Sequence, residues 1–238
     1  MFMIACRSLV LASVLAVSAA VASATTVSLH YEGGTASGTV KFKSTPLSDA
    51  IDGTGAGAYG FNMKDVTPSG SILGDFVAWC LDIEHHLGTK GNHAYEITST
   101  PFTNSYGLDA AQKARVQSVF DANYAFVDLA SNTQAAGFQV ALWNALYDTD
   151  ASAGTGDFSI YGGKQAWLDI VTAADAYLAA AQGFAGKRVW NLTFLQSNGD
   201  PVRQNLVTVA PVPVPAAAGM LLLALGGLAA AGRRRRSI

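Results

Sequence analysis

Charge is scarce in this chain and cysteine nearly missing: 13% of its 238 residues are Asp, Glu, Lys or Arg, and the only cysteines are Cys6 and Cys80. The charge is also unevenly placed. Arg7 is the one charged residue before Glu32, and Arg233 to Arg236 are the only ones after Arg203. Thr25 to Ala210 therefore carries 10 Lys and Arg against all 17 Asp and Glu, a formal net charge of −7. Phosphate recognition needs clustered cations, so this acidic middle argues against nucleic acid as a partner. The 24 glycines follow no period of three, no heptads persist, and 10% of the residues are aromatic, which removes collagen-like, coiled-coil and disordered classes. There is no phosphate-cradling glycine loop, nucleophile-elbow serine or dinucleotide fingerprint, and no cofactor is expected. No internal repeat is visible.

What is present begins with an export signal over residues 1–24. A single positive charge at Arg7 precedes the uncharged run Ser8 to Val21 and then Ala22-Ser23-Ala24, whose small residues suit a signal peptidase cutting before Thr25. The run of 14 residues is short of the ~20 needed to cross a bilayer. Cys6 lies ahead of it and leaves with the signal.

The other end, residues 210–238, is built like a sorting tail. Alternating prolines make Pro211-Val212-Pro213-Val214-Pro215 an extended connector, because proline lacks an N–H and cannot join a helix or a central strand. Ala216 to Gly232 gives 17 uncharged residues, about 25 Å as a helix, before Arg233, Arg234, Arg235 and Arg236. An apolar span closed by a basic cluster stops transfer and keeps the arginines inside; a permanent single-span anchor is the alternative. Val212-Pro213-Val214-Pro215-Ala216, the Gly/Leu/Ala-rich span and the terminal arginines resemble the VPLPA variant of the PEP-CTERM sorting signal, with Val214 in place of its usual Leu. The resemblance implies transient anchoring in the inner membrane and processing near the proline motif by an exosortase-type transpeptidase. It also implies a final location at the cell surface or in an exopolysaccharide or biofilm matrix.

Between the two lies one domain, residues 25–209, whose 185 residues suffice for a sizeable core. Alternation predicts strands at 27–31 and 39–43, a Gly-rich loop at 49–60, a dense apolar strand at 74–84 and another strand at 94–98. Helical spacing follows over 108–126, with Asp109 at its start and Leu108, Ala111, Arg115, Val119 and Ala122 on one face. It continues over 133–148, with Ala136, Val140, Trp143 and Tyr147 on one face, and over 164–182. Strands return at 189–195 and 205–209, separated by a turn at 197–201. The class is α+β: a β-rich sheet or sandwich with a helical insertion, flanked by a signal peptide and a C-terminal transmembrane sorting helix.

Once the signal is removed, Cys80 is the sole cysteine, so an internal disulfide is impossible and the thiol is free, paired between chains or otherwise committed. A lone cysteine in a core strand is ordinarily a small hydrophobe. Gln139 changes that reading. It is a single amide in the apolar helical run Ala135 to Trp143, and unpartnered it would cost about 1–3 kcal/mol. Trp79-Cys80-Leu81-Asp82-Ile83 together with Phe138-Gln139-Val140-Ala141-Leu142-Trp143 resembles the Cys and Gln motifs of the thioester domains of bacterial surface adhesins. It departs from them in the short 59-residue separation and in Phe138 before the glutamine. The resemblance implies that Cys80 supplies the sulfur and Gln139 the acyl carbon of an internal thioester, with Trp79, Asp82, Phe138 and Trp143 around it, open to attack by amines or hydroxyls. Similar pairs occur in PEP-CTERM proteins, and the alternative to the covalent bond is a pair that packs, with Gln139 hydrogen-bonding strand backbone.

Weaker constellations surround this pair. His85, His86 and His93 follow Cys80 closely, but a protease dyad lacks a family motif and a zinc site lacks a fourth ligand, so no metal is expected. Asp148, Asp150, Ser152 and Asp157 only loosely resemble a calcium loop. The expected product is an exported, non-enzymatic surface or matrix protein that attaches to surface polysaccharide or protein amines. A structural or glycan-binding module with an inert Cys80, and an exported cysteine hydrolase, are the other readings.

Overall fold

The computed structural model describes residues 25–45, 47, 55–99 and 102–211. The signal segment and the sorting motif, apolar span and arginines of the tail lie outside the described residues. In chain order the elements are β1 (Thr25–Gly34), β2 (Thr39–Ser44), β3 (Gly55–Gly57), β4 (Phe61–Asp65), β5 (Asp75–Cys80) and β6 (Asn92–Thr98). Then come α1 (Ala110–Asn123), a turn of 3-10 helix (Tyr124–Phe126), α2 (Asn132–Tyr147), β7 (Phe158–Ile160), α3 (Gln165–Gln182), β8 (Trp190–Ser197) and β9 (Leu206–Pro211). The class is α+β, with the helices inserted between β6 and β8.

The main sheet closes on itself rather than forming an open sheet or sandwich. Its order is β1-β4-β5-β9-β8-β6, and β6 returns to pair with β1. All six pairings are antiparallel, so every strand has two neighbours and no edge is left to recruit another chain. Alternation sets the inward face: Val27 and Leu29 of β1, and Phe61 and Met63 of β4, are buried. A small sheet, β3-β2-β7, packs separately. Its strand β3 falls inside the stretch expected to be a loop. Along with β4 and β7 it is a three- to five-residue strand, too short for alternation to stand out from chance. Strand β9 runs on to Pro211, opposite Trp190, two residues beyond the strand expected at 205–209.

The helices differ from expectation in which faces they bury. Asp109 caps α1 as anticipated, accepting from the Gln112 N–H while the Gln112 side chain accepts from the Asp109 N–H. Its buried stripe, however, is Gln112, Val116, Val119, Phe120 and Asn123, about one residue round from the expected face. Helix α2 is buried on every side from Ala135 to Tyr147 rather than on one face, because α1, α3, β5 and β7 all pack on it. Gly137 permits the closest of these approaches. A Cβ there would sit 2.7 Å from the Ala173 Cβ and 3.1 Å from the Ala174 main-chain nitrogen.

Candidate functional site

The site forms where β5 outruns its neighbour. In the β4–β5 ladder Phe61 lies opposite Ala78, and β4 starts at Phe61, so two residues on Cys80 has no strand on that side. On its other side β5 remains paired with β9: Cys80 lies opposite Leu206, and the Leu81 N–H donates to the Asn205 carbonyl at 2.9 Å. Gln139 of α2 fills the gap. The Cys80 N–H donates to Gln139 Oε1 at 2.9 Å, and Gln139 Nε2 donates to the Cys80 carbonyl at 2.8 Å. The side-chain amide thus repeats what a neighbouring strand would supply. Both residues are fully buried, where a main-chain group left unmet would cost about 1–3 kcal/mol.

Four more predicted residues gather on this pair. Trp79 points to the face opposite Cys80 and meets the Phe138 ring edge-on at 4.8 Å, with Tyr124 at 6.2 Å. Trp143 packs on Phe42 at 6.0 Å, and its indole N–H has no hydrogen-bond partner among the described residues. The Cys80 Sγ–H donates to the Asp82 carbonyl at 2.6 Å. Burial pushes the thiol up, and the negative charge of Asp82 adds to this; the Asp82 main chain and the nearby Trp143 indole oppose them without overturning the shift. The thiol is a poor nucleophile until something takes its proton.

Asp82 has the richer environment, with partners that no spacing in the sequence announces. Its Oδ1 accepts from the Glu84 and His85 N–H groups at 2.8 and 3.2 Å, and its Oδ2 from the Asn205 N–H at 3.4 Å. His85 Nδ1 lies 2.8 Å from Asp82 Oδ2. A carboxylate only accepts, so Nδ1 carries the hydrogen, and the acceptor position of the unprotonated form of the ring is Nε2. Asn205 is wholly buried and ties the turn to the loop beyond β6 through Asn104 and Ser105, at 2.6 and 2.7 Å. The Tyr147 hydroxyl accepts from the Ile83 N–H at 3.4 Å.

The remaining candidates serve other ends. His93 Nε2 donates to the Lys90 carbonyl and His85 Nδ1 to Asp82, and among the described residues the histidines do not gather with Cys80 into a group that could hold a metal. Asp148 and Asp150 spend their carboxylates on the N–H groups of Thr149, Asp150, Ser152 and Phe158 in their own loop. Val212 to Ala216 and Arg233 to Arg236 lie outside the described residues.

No protein-family model matches the chain, and no curated protein matches it. Among solved structures, the chain resembles the N-terminal domain of the Streptococcus pyogenes pilus tip adhesin Cpa, at 14% identity over 72% of this chain and 93% of that one, TM-score 0.41. It resembles the N-terminal thioester domain of a surface protein from Clostridium perfringens at 12% identity over 79% and 100%, TM-score 0.40. A third likeness is to the N-terminal thioester domain of fibronectin-binding protein SfbI from Streptococcus pyogenes, at 13% identity over 72% and 93%, TM-score 0.41.

Proposed function

We propose that this chain is an exported surface module in which Cys80 and Gln139 close into an internal thioester that attaches the protein to amine or hydroxyl groups. The observation that carries the reading is the clamp on Gln139, two hydrogen bonds to the main chain of Cys80 inside a fully buried site. In the reaction Sγ attacks the Gln139 amide carbon, the C–S bond forms, the C–N bond breaks, and the thiol proton leaves with the nitrogen as ammonia. The Cys80 N–H is already bonded to the amide oxygen, which is the atom that takes up charge during the attack. Trp143 covers the sulfur side, and Trp79 packed on Phe138 seals the opposite face of the strand, which keeps water from the product.

Delivery follows the sequence reading. Signal peptidase frees Thr25, Arg233 to Arg236 hold the tail transiently in the inner membrane, and an exosortase-type enzyme acts near Val212 to Ala216. The protein is not an enzyme on this reading, since a thioester is consumed once. Its acceptors are surface polysaccharide or protein amines. The upward shift of the buried thiol favours the second reading, a structural module in which Gln139 merely replaces a strand. Methylamine separates the two: in a thioester it adds at Gln139 and frees one thiol per chain, whereas an inert pair gives neither product.

A further inference from the structure

A cleft that the thioester reading does not use lies beyond the Cys80 end of β5, lined by residues that neighbour Cys80 and Gln139 and not by that buried pair itself. Side chains alternate along β5, so Cys80 shares a face with Ala78, and Phe61 lies opposite Ala78 on the same face. Phe61 is also at the cleft. Its ring meets Tyr31 edge-on at 6.2 Å and Tyr59 at 5.4 Å, and all three line a cavity of ≈ 160 Å³ together with His85 and Gln204. Tyr59 sits at the position that would oppose Cys80 had β4 continued. Its ring is seated on Gly34, where a Cβ would come within 2.7 Å of it. Phe42, which packs on Trp143, forms another part of the wall.

The lining has a consistent chemistry. The Tyr31 and Tyr59 hydroxyls, His85 Nε2 and the Gln204 side-chain amide have no hydrogen-bond partner among the described residues. They share the cavity with the rings of Tyr31, Phe42, Tyr59 and Phe61, and no carboxylate lines the space. A lysine ammonium would want a carboxylate there. A sugar ring wants aromatic faces for its C–H groups and uncharged donors and acceptors for its hydroxyls. The volume is below the ~300 Å³ of drug-sized pockets, so it takes one ring rather than a chain of them.

We infer that this cleft is the acceptor subsite and that it presents a carbohydrate hydroxyl to the Gln139 acyl carbon, with His85 as the base that takes the hydroxyl proton. The inference rests on the thioester reading. The acceptor oxygen bonds to the acyl carbon, the C–S bond breaks, and its electron pair goes to the Cys80 sulfur. The proton passes from the hydroxyl to His85 Nε2 and on to that sulfur, leaving an ester at Gln139 and a thiol at Cys80. Asp82, through Nδ1, keeps Nε2 free to accept. A free amine needs no such base to attack, whereas a hydroxyl at neutral pH does.

The test uses purified full-length protein incubated with methyl α-glucoside or with methylamine, followed by mass analysis of the peptide that carries Gln139. Both should add. His85→Gln should slow glucoside addition about a hundredfold while changing methylamine addition by less than about threefold. Tyr59→Leu, which keeps the Asp82–His85 bond and removes a stacking face, should also slow the glucoside selectively. Methylamine that adds where the glucoside does not overturns the inference and leaves the thioester standing. Equal slowing of both probes in His85→Gln overturns it as well, since His85 would then act only on the fold. An intact amide at Gln139 that reacts with neither probe overturns the thioester reading itself.

Discussion

Gln139 bonds to the main chain of Cys80, not to its sulfur: Oε1 accepts from the Cys80 N–H at 2.9 Å and Nε2 donates to the Cys80 carbonyl at 2.8 Å. The sulfur turns instead to the Asp82 carbonyl. The pairing therefore serves two ends. It closes the ladder that β4 leaves open, and in the proposed reaction it keeps the acyl carbon at the residue whose sulfur attacks it.

The structural half of this account makes a ranking. Gln139→Leu removes both partners of Cys80 and should cost about 2–5 kcal/mol in chemical denaturation. Cys80→Ala keeps both hydrogen bonds and should cost about 1–2 kcal/mol, for the small cavity alone. The reverse order would mean that Gln139 serves the sulfur.

Cys80 is fully buried and its thiol is pushed up by that burial. Native protein should therefore resist iodoacetamide even after methylamine has freed the thiol, and should label fully once unfolded. Rapid labelling of the folded protein would show that the thiol ionises far more readily than its burial allows.

Acid should weaken the fold through Asp65. Burial alone would raise this carboxyl, but the Thr67 hydroxyl and the N–H groups of Leu73, Ile72 and Thr67 outweigh it and hold it at about 2. Since the folded value is depressed, its contribution is fully present above the ordinary carboxylate value of about 4 and is lost as pH falls through about 2. Asp65→Asn should flatten the pH dependence of the denaturation midpoint in that window. An unchanged slope would remove Asp65 as its source.

Processing is checked by sequencing both ends of the exported protein. It should begin at Thr25 and lack Arg233 to Arg236, and replacing the four arginines with Ser should release or misplace it. An intact arginine tail in the membrane-bound product would favour a permanent anchor.

That Gln139 needs a partner was legible, because a lone amide in an apolar helix demands one, while Cys80 as that partner, with Trp79, Phe138 and Trp143 around it, came from the resemblance to thioester domains. What could not be read was which atoms of Cys80 the amide takes, since that depends on β4 starting at Phe61 and so on a pairing between distant segments. Asp82 and His85 are three residues apart in a turn with no period, so nothing in their spacing announces the hydrogen bond between them. The helix faces failed for a similar reason. On α2 the neighbours on all sides bury every residue from Ala135 onward, and periodicity then carries no direction.

The central claim is a covalent bond, and the mass of the intact chain reports it. Freshly prepared protein that has never met an amine should weigh one ammonia less than its processed sequence, and both Cys80→Ala and Gln139→Ala should restore the full value. A native mass equal to the processed sequence would contradict the thioester and leave Gln139 as a substitute strand beside an inert Cys80.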